Sequence, residues 1–138
     1  LSSPEQPVQV TIDRKPLYDA DDMKVTLDGT QLRAIGKALP QDAAHGESIG
    51  LLRFMGAGPG QFTARLHEMM RTGDGVSAWF LRAIDALAQR RPGVGTLSIE
   101  GHAWAELDTP EDYGFVQTLF ASGALGGVKP LEKAASGR

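Results

Sequence analysis

Four acids crowd the stretch GHAWAELDTPEDYGFV, Gly101 to Val116: Glu106, Asp108, Glu111 and Asp112. Their spacing separates them into two kinds of chemistry. Thr109-Pro110-Glu111-Asp112 places a capping hydroxyl, then proline at the first helical position, then acids in the first turn. That is close to a capping box and suits the positive end of a helix dipole. Glu111 and Asp112 are thereby explained as helix starters. Along an extended strand, Trp104, Glu106 and Asp108 point one way, while Ala105 and Leu107 point the other. With Leu107 on the core side, both acids face outward at a strand's carboxyl end, the edge where open α/β sheets gather ligands. A carboxylate there suits a divalent cation, which needs oxygen ligands and phosphate partners. The plainer alternative is a solvated strand end.

A second candidate lies in KVTLDGTQLRAI. Asp28-Gly29 between two β-type runs predicts a hairpin with a type I′ turn. A two-residue loop there pairs Leu27 with Thr30, Thr26 with Gln31, Val25 with Leu32 and Lys24 with Arg33. Val25, Leu27 and Leu32 then share the core face. Lys24 and Arg33 meet on the other, where two opposed cations call for an anion. Asp21 and Asp22 can relieve them on a solvated surface, or the face can meet a phosphate.

Other motifs carry less. HEMMR at His67 begins like HExxH, but Arg71 stands where the second histidine belongs. His45 and His102 have no partner at ligand spacing. GAGPGQ is neither GxGxxG nor a P-loop, and no serine sits in a GxSxG elbow.

The elements that must position these residues follow from periodicity. VQVTI (8–12) alternates as a short strand, the hairpin follows, and SIGLLRF (48–54) is apolar enough to be central. Phe62, Leu66, Met69 and Met70 recur on one face of a helix opened by Pro59. A second helix spans about 77–90, with Trp79, Phe80, Ala83, Ile84 and Leu87 as its buried stripe. GTLSIEG is a strand, AWAEL continues or follows it, and a last helix runs from after Asp108 to about Phe120. The order predicts an α/β layer with a mixed sheet, a β-hairpin and covering helices. Residues 122–138, rich in Gly and Ala without periodicity, read as a flexible tail after a domain over 1–121.

The 138 residues contain no cysteine, which excludes disulfides and thiolate chemistry. A net charge of −3 argues against nucleic acid as the main partner. No apolar run reaches bilayer length and no signal peptide is present, so a cytoplasmic protein with no membrane partner is expected. The chain opens on Leu1 and runs within a few residues into a strand, which suggests a piece of something longer.

WAELDTPEDY resembles the (W/Y)xE(I/L)D(T/S)xxDY segment of the sugar-phosphate and alcohol-phosphate cytidylyltransferases, among them those acting on phosphocholine, inositol phosphate and aminoethylphosphonate. YDADDMKVTLDGTQLRAIGK (18–37) and GESIGLLRF (46–54) are similar in the same order. The resemblance covers roughly residues 8 to 120. It implies the second half of a Rossmann-like nucleotidyltransferase domain. It implies that Asp108 is one of two aspartates holding the catalytic Mg²⁺, that Lys24, joined by Arg33, lies by the transferred phosphates, and that Glu47 faces the acceptor pocket. The family's GxGxR loop, its downstream lysine and its first metal aspartate do not occur here, so the nucleotide-binding half is expected to be absent and this fragment inactive alone. The implied partners are a nucleoside triphosphate, CTP favoured, a phosphorylated small molecule, and a homodimeric copy. The alternative is a non-catalytic structural or dimerising module that keeps only the scaffold.

Overall fold

A computed structural model describes residues 6–72, 75 and 77–124. The chain divides into two compact units, Leu1–Glu100 and Gly101–Arg138. From residue 125 the expected tail lies outside the described residues.

The first unit contains β1 (Val8–Asp13), β2 (Lys24–Asp28), β3 (Gln31–Gly36), β4 (Gly46–Phe54), α1 (Gly58–Arg71), α2 (Leu81–Ala88) and β5 (Gly95–Ser98). A single 3₁₀ turn, Gln41–Ala43, leads into β4. The α/β content matches expectation, but the sheet is not an open Rossmann-like one. It closes into a five-stranded barrel in the order β1-β4-β2-β3-β5. Closure depends on β5, which runs parallel to β1 from Gly95 to Ser98 and meets β3 at Gln31. Leu32 N–H donates to the Val94 carbonyl at 2.8 Å and Thr96 N–H to that of Thr30 at 2.9 Å, so neither edge stays unpaired.

β1 is the most buried strand. Val8, Val10 and Ile12 fill the interior, while Gln9 and Thr11 on the opposite face are buried too. β4 lies between β1 and β2, as its apolar sequence predicts. Its register against β1 slips between Val10↔Leu52 and Ile12↔Ser48. Gly50 sits in that slip with φ +77°, a conformation open to glycine and costly to other residues. Val25, Leu32, Ile35 and Val94 join the β1 residues in one core, closed by Leu81, Ile84, Leu87 and Ala88 of α2. Phe54 of β4 meets Phe62 of α1 at 4.9 Å between ring centroids.

The hairpin forms, but its turn is displaced. Asp28 pairs with Gln31, which leaves Gly29-Thr30 as the loop. Gly29 has φ +59°, and no described residue other than glycine has positive φ. A type I′ turn centred on Asp28-Gly29 would require positive φ at Asp28; a glycine-led loop avoids that. The register then slips, with Leu27↔Leu32 followed by Thr26↔Ala34, so Arg33 is the bulged residue and Lys24 faces Gly36. The opposed Lys24–Arg33 pair does not exist.

One further expectation changes. α2 begins at Leu81, so Trp79 and Phe80 precede the helix and stand 66% and 45% exposed instead of forming its buried stripe. No helix among the described residues is long and apolar enough to cross a membrane.

The second unit contains α3 (Pro110–Ala121). Residues 101–109 form no strand, and Leu107 is 58% exposed, so no pleat divides Glu106 and Asp108 from a core side. The capping box is present: Thr109 Oγ1 accepts the Asp112 N–H at 3.2 Å, and Asp112 Oδ2 accepts the Thr109 N–H at 2.8 Å.

Candidate functional site

Glu47 occupies a junction that the strand pairing dictates. Near the start of β4 it lies opposite Asp13 of β1 on one side and Lys24 of β2 on the other. It is 5% exposed, and Lys24 is 4% exposed. The segment from Arg14 to Met23 joins β1 to β2 and brings Lys15, Tyr18, Asp19 and Asp22 to the same place. Lys15 Nζ lies 2.7 Å from Asp22 Oδ2 and 3.0 Å from Glu47 Oε2, bridging the two carboxylates, and 6.0 Å from the Tyr18 ring centroid. Asp22 also accepts the Asp19 N–H at 2.6 Å. Lys24 Nζ donates to the carbonyls of Asp19 at 3.0 Å and Asp22 at 3.4 Å. Ser48 N–H donates to the Met23 carbonyl at 2.8 Å, fastening the segment to β4.

The electrostatics of this cluster are asymmetric. Burial raises the Glu47 carboxyl above its ordinary value, because desolvation disfavours the charge more than Lys15 favours it; a hydrogen bond with Asp22 adds to the rise. Burial pushes Asp22 the same way, but hydrogen bonds from Lys15 and the Asp19 N–H outweigh it and hold Asp22 below its ordinary value. Partial burial lowers Lys15, and its bonds to Asp22 and Glu47 outweigh that and raise it. Of the two carboxyls, Glu47 therefore holds a proton more tightly than Asp22.

Of the residues expected from sequence, Glu47 and Lys24 are brought side by side. Arg33 is not with them: its guanidinium pairs with Asp28 at the turn end of the hairpin and is 59% exposed. Asp108 belongs to the second unit, is exposed, and donates its N–H to Asp112 Oδ2 at 3.1 Å. Among the described residues no group of three or more His, Asp or Glu is placed to hold a metal ion. Asp108 can thus give Mg²⁺ one carboxylate, which is short of a site.

Lys15 was not among the expected site residues, and Asp22 entered only as a surface counter-charge. The available signal was charge density: Lys15 just past a strand, then Asp19, Asp21 and Asp22 just before the next.

A cavity of about 870 Å³ opens between β3, α1 and α2. Met23, whose neighbours Asp22 and Lys24 belong to the cluster, is part of its wall, together with Lys37, Arg65, Trp79, Arg82 and Asp85. Asp85 Oδ1 accepts the Ile35 N–H at 3.0 Å, which ties α2 to β3 beneath it.

No family model and no curated protein matches the chain. Among solved structures, the inositol-1-phosphate CTP transferase from T. maritima matches with a TM-score of 0.63 at 16% identity. The match covers 93% of this chain and 49% of that one, so the chain spans about half the length of the solved protein. It has the fold of about half of a cytidylyltransferase, in agreement with the partial domain that the sequence resemblance implies.

Proposed function

We propose that the chain is the acceptor-binding part of a nucleotidyltransferase, with CTP the favoured nucleotide and a phosphorylated small alcohol or sugar as acceptor. The shared fold supports the transferase class. The observation that carries the acceptor side is the buried Lys15–Glu47–Asp22 cluster beside Lys24. In the reaction, an acceptor phosphate oxygen forms a bond to the α-phosphorus and the bond to the departing pyrophosphate breaks. Proteins assist such transfers by positioning and by placing charge. Two of the three N–H donors of Lys24 hold carbonyls, which fixes the ammonium and leaves one for a phosphate oxygen. Glu47, buried beside Lys15, offers a carboxyl that can hydrogen-bond an acceptor hydroxyl. Asp108 would offer one carboxylate to a Mg²⁺, and such an ion would offset charge at the α-phosphate.

The test is pyrophosphate release by the full-length protein with several nucleoside triphosphates and phosphorylated alcohols. Release is expected with CTP, reduced at least tenfold by Glu47→Gln and by Asp108→Asn, on the scale of losing one transition-state contact. Silence across every pairing, with the protein folded, would refute the enzyme and favour a module that retains only the scaffold.

A further inference from the structure

Arginines gather at the end of the barrel away from Glu47. Asp13, the last residue of β1, pairs with Glu47, whereas Gln9 pairs with Gly95, where the chain from α2 enters β5. Four residues of strand separate the two places, roughly 13 Å. At the Gln9 end, Arg90–Gly93 lies beside the β2–β3 hairpin, fixed there by the hydrogen bond from Leu32 N–H to the Val94 carbonyl. A cleft of about 300 Å³ opens between them. Arg33, Arg90 and Arg91 all line it, and no acid is among its described lining residues. A second cleft, of about 290 Å³, shares Arg90–Gly93 and adds Arg65 and Glu68.

Four guanidinium groups here have two carboxylates between them. Arg33 pairs with Asp28, and Glu68 is shared, its Oε2 lying 2.8 Å from Arg65 and 3.2 Å from Arg90. Arg91 has no ion-pair partner among the described residues, and Arg65 Nε is buried without a hydrogen-bond partner. The hydrogen bond from Arg65, with the charges of Arg65 and Arg90, holds the Glu68 carboxyl below its ordinary value. The pairs to Asp28 and Glu68 are exposed and hold their arginines weakly. A guanidinium does not shed its proton in a protein, so an excess of two positive charges persists in a chain whose net charge is −3. A compact oxyanion relieves that excess through forked, charge-assisted hydrogen bonds. A cleft this small suits a phosphate group better than a peptide or nucleic-acid segment.

We propose that the cleft between Arg90–Gly93 and the hairpin binds inorganic phosphate or pyrophosphate, with Arg91 as the principal ligand and Arg33 and Arg90 beside it. The site is separate from the acceptor cluster and does not rest on the transferase reading.

The 138-residue chain is titrated with sodium pyrophosphate, and separately with sodium phosphate, under heteronuclear NMR. Ionic strength is held constant with sodium chloride, so that general screening cancels. Saturable shifts are expected at the amides of Arg33, Arg90, Arg91 and Gly93, half-complete below about 1 mM pyrophosphate. Arg91→Gln should weaken that binding at least roughly fivefold, and Arg91→Lys, which keeps the charge and loses the fork, should recover only part of it. Neither exposed substitution should move Tm by more than about 3 °C, which separates lost binding from lost folding. Shifts no larger than sodium chloride produces, or binding unmoved by Arg91→Gln, would overturn the proposal. So would saturable shifts confined to Lys15, Lys24 and Glu47, which would send the anion to the acceptor cluster instead.

Discussion

Replacing Lys15 by Met keeps most of the side chain's apolar stem and removes the one charge that bridges Glu47 and Asp22. The side chains of the three are 33%, 6% and 17% exposed, respectively. Breaking a fully buried ion pair costs about 3–5 kcal/mol, and an exposed one contributes about 0–1 kcal/mol. With Lys15 a third exposed, the expected cost at neutral pH is about 1–3 kcal/mol, roughly 5 °C in Tm per kcal/mol for a unit of this size. The pH dependence is the sharper test. Glu47 is raised by burial, so its folded form holds a proton more tightly than the unfolded chain. Its contribution is present below the ordinary value of 4.5 and is lost as pH rises through the folded value. Asp22 is lowered, so its contribution is present above 3.8 and lost as pH falls through the folded value. Lys15 is raised above 10.5, so its own titration matters only in alkali. Without Lys15 nothing opposes the desolvation of Glu47. Urea unfolding at pH values from about 4.5 to 8 should therefore show a cost of Lys15→Met that grows with pH. Adding Glu47→Gln should recover stability at neutral pH by replacing a buried uncompensated charge with an amide. A cost below about 0.5 kcal/mol, or one flat across that range, would refute the cluster as described.

Five other substitutions probe separate parts of the structure. A Cβ at Gly58 would lie 2.0 Å from the Pro7 carbonyl oxygen, so Gly58→Ala should cost about 2–4 kcal/mol in thermal unfolding. Gly60→Ala, in the same helix with open space around it, should be neutral or stabilising by up to about 1 kcal/mol. Thr109→Ala removes the cap of α3 and should cost that helix about 1 kcal/mol, read by far-ultraviolet circular dichroism. Hydrogen bonds from the Thr109 side chain and backbone hold Asp112 below its ordinary value, so α3 helicity should fall only in strong acid, and Asp112→Asn should abolish that titration. Lys24→Met strands the Asp19 and Asp22 carbonyls and should cost about 2 kcal/mol, with faster amide exchange confined to residues 14–23.

What the sequence disclosed, and what it hid, divides along local against long-range physics. The strands at VQVTI, SIGLLRF and GTLSIEG, the helix opened by Pro59 and the Thr109 capping box each depend on neighbours a few residues away, and each is found. Barrel closure depends on four residues of β5 reaching both β1 and β3, which no periodicity contains. The hairpin register was hidden by one backbone angle, since the loop avoids placing Asp28 at positive φ and takes Gly29-Thr30 instead. Trp79 and Phe80 fit a helical stripe by spacing, but α2 begins after them, so the spacing had no helix to act on. Of the site residues, Glu47 was accessible only through family resemblance, and Lys24 was also reached through a cross-strand pairing that does not form. Lys15 was hidden because its partners lie on β4 and beyond Tyr18, joined by pairing that a linear pattern does not encode.

Folding alone is a poor reason for the cluster around Glu47. Two carboxylates and two ammonium groups in the wall of a small barrel are no more stable than an apolar set of equal volume. The arrangement fixes donors in advance of a ligand: Lys24 is immobilised by two carbonyls and Lys15 by two carboxylates. A ligand then meets charges that need not reorganise, the condition under which a protein field assists a transfer.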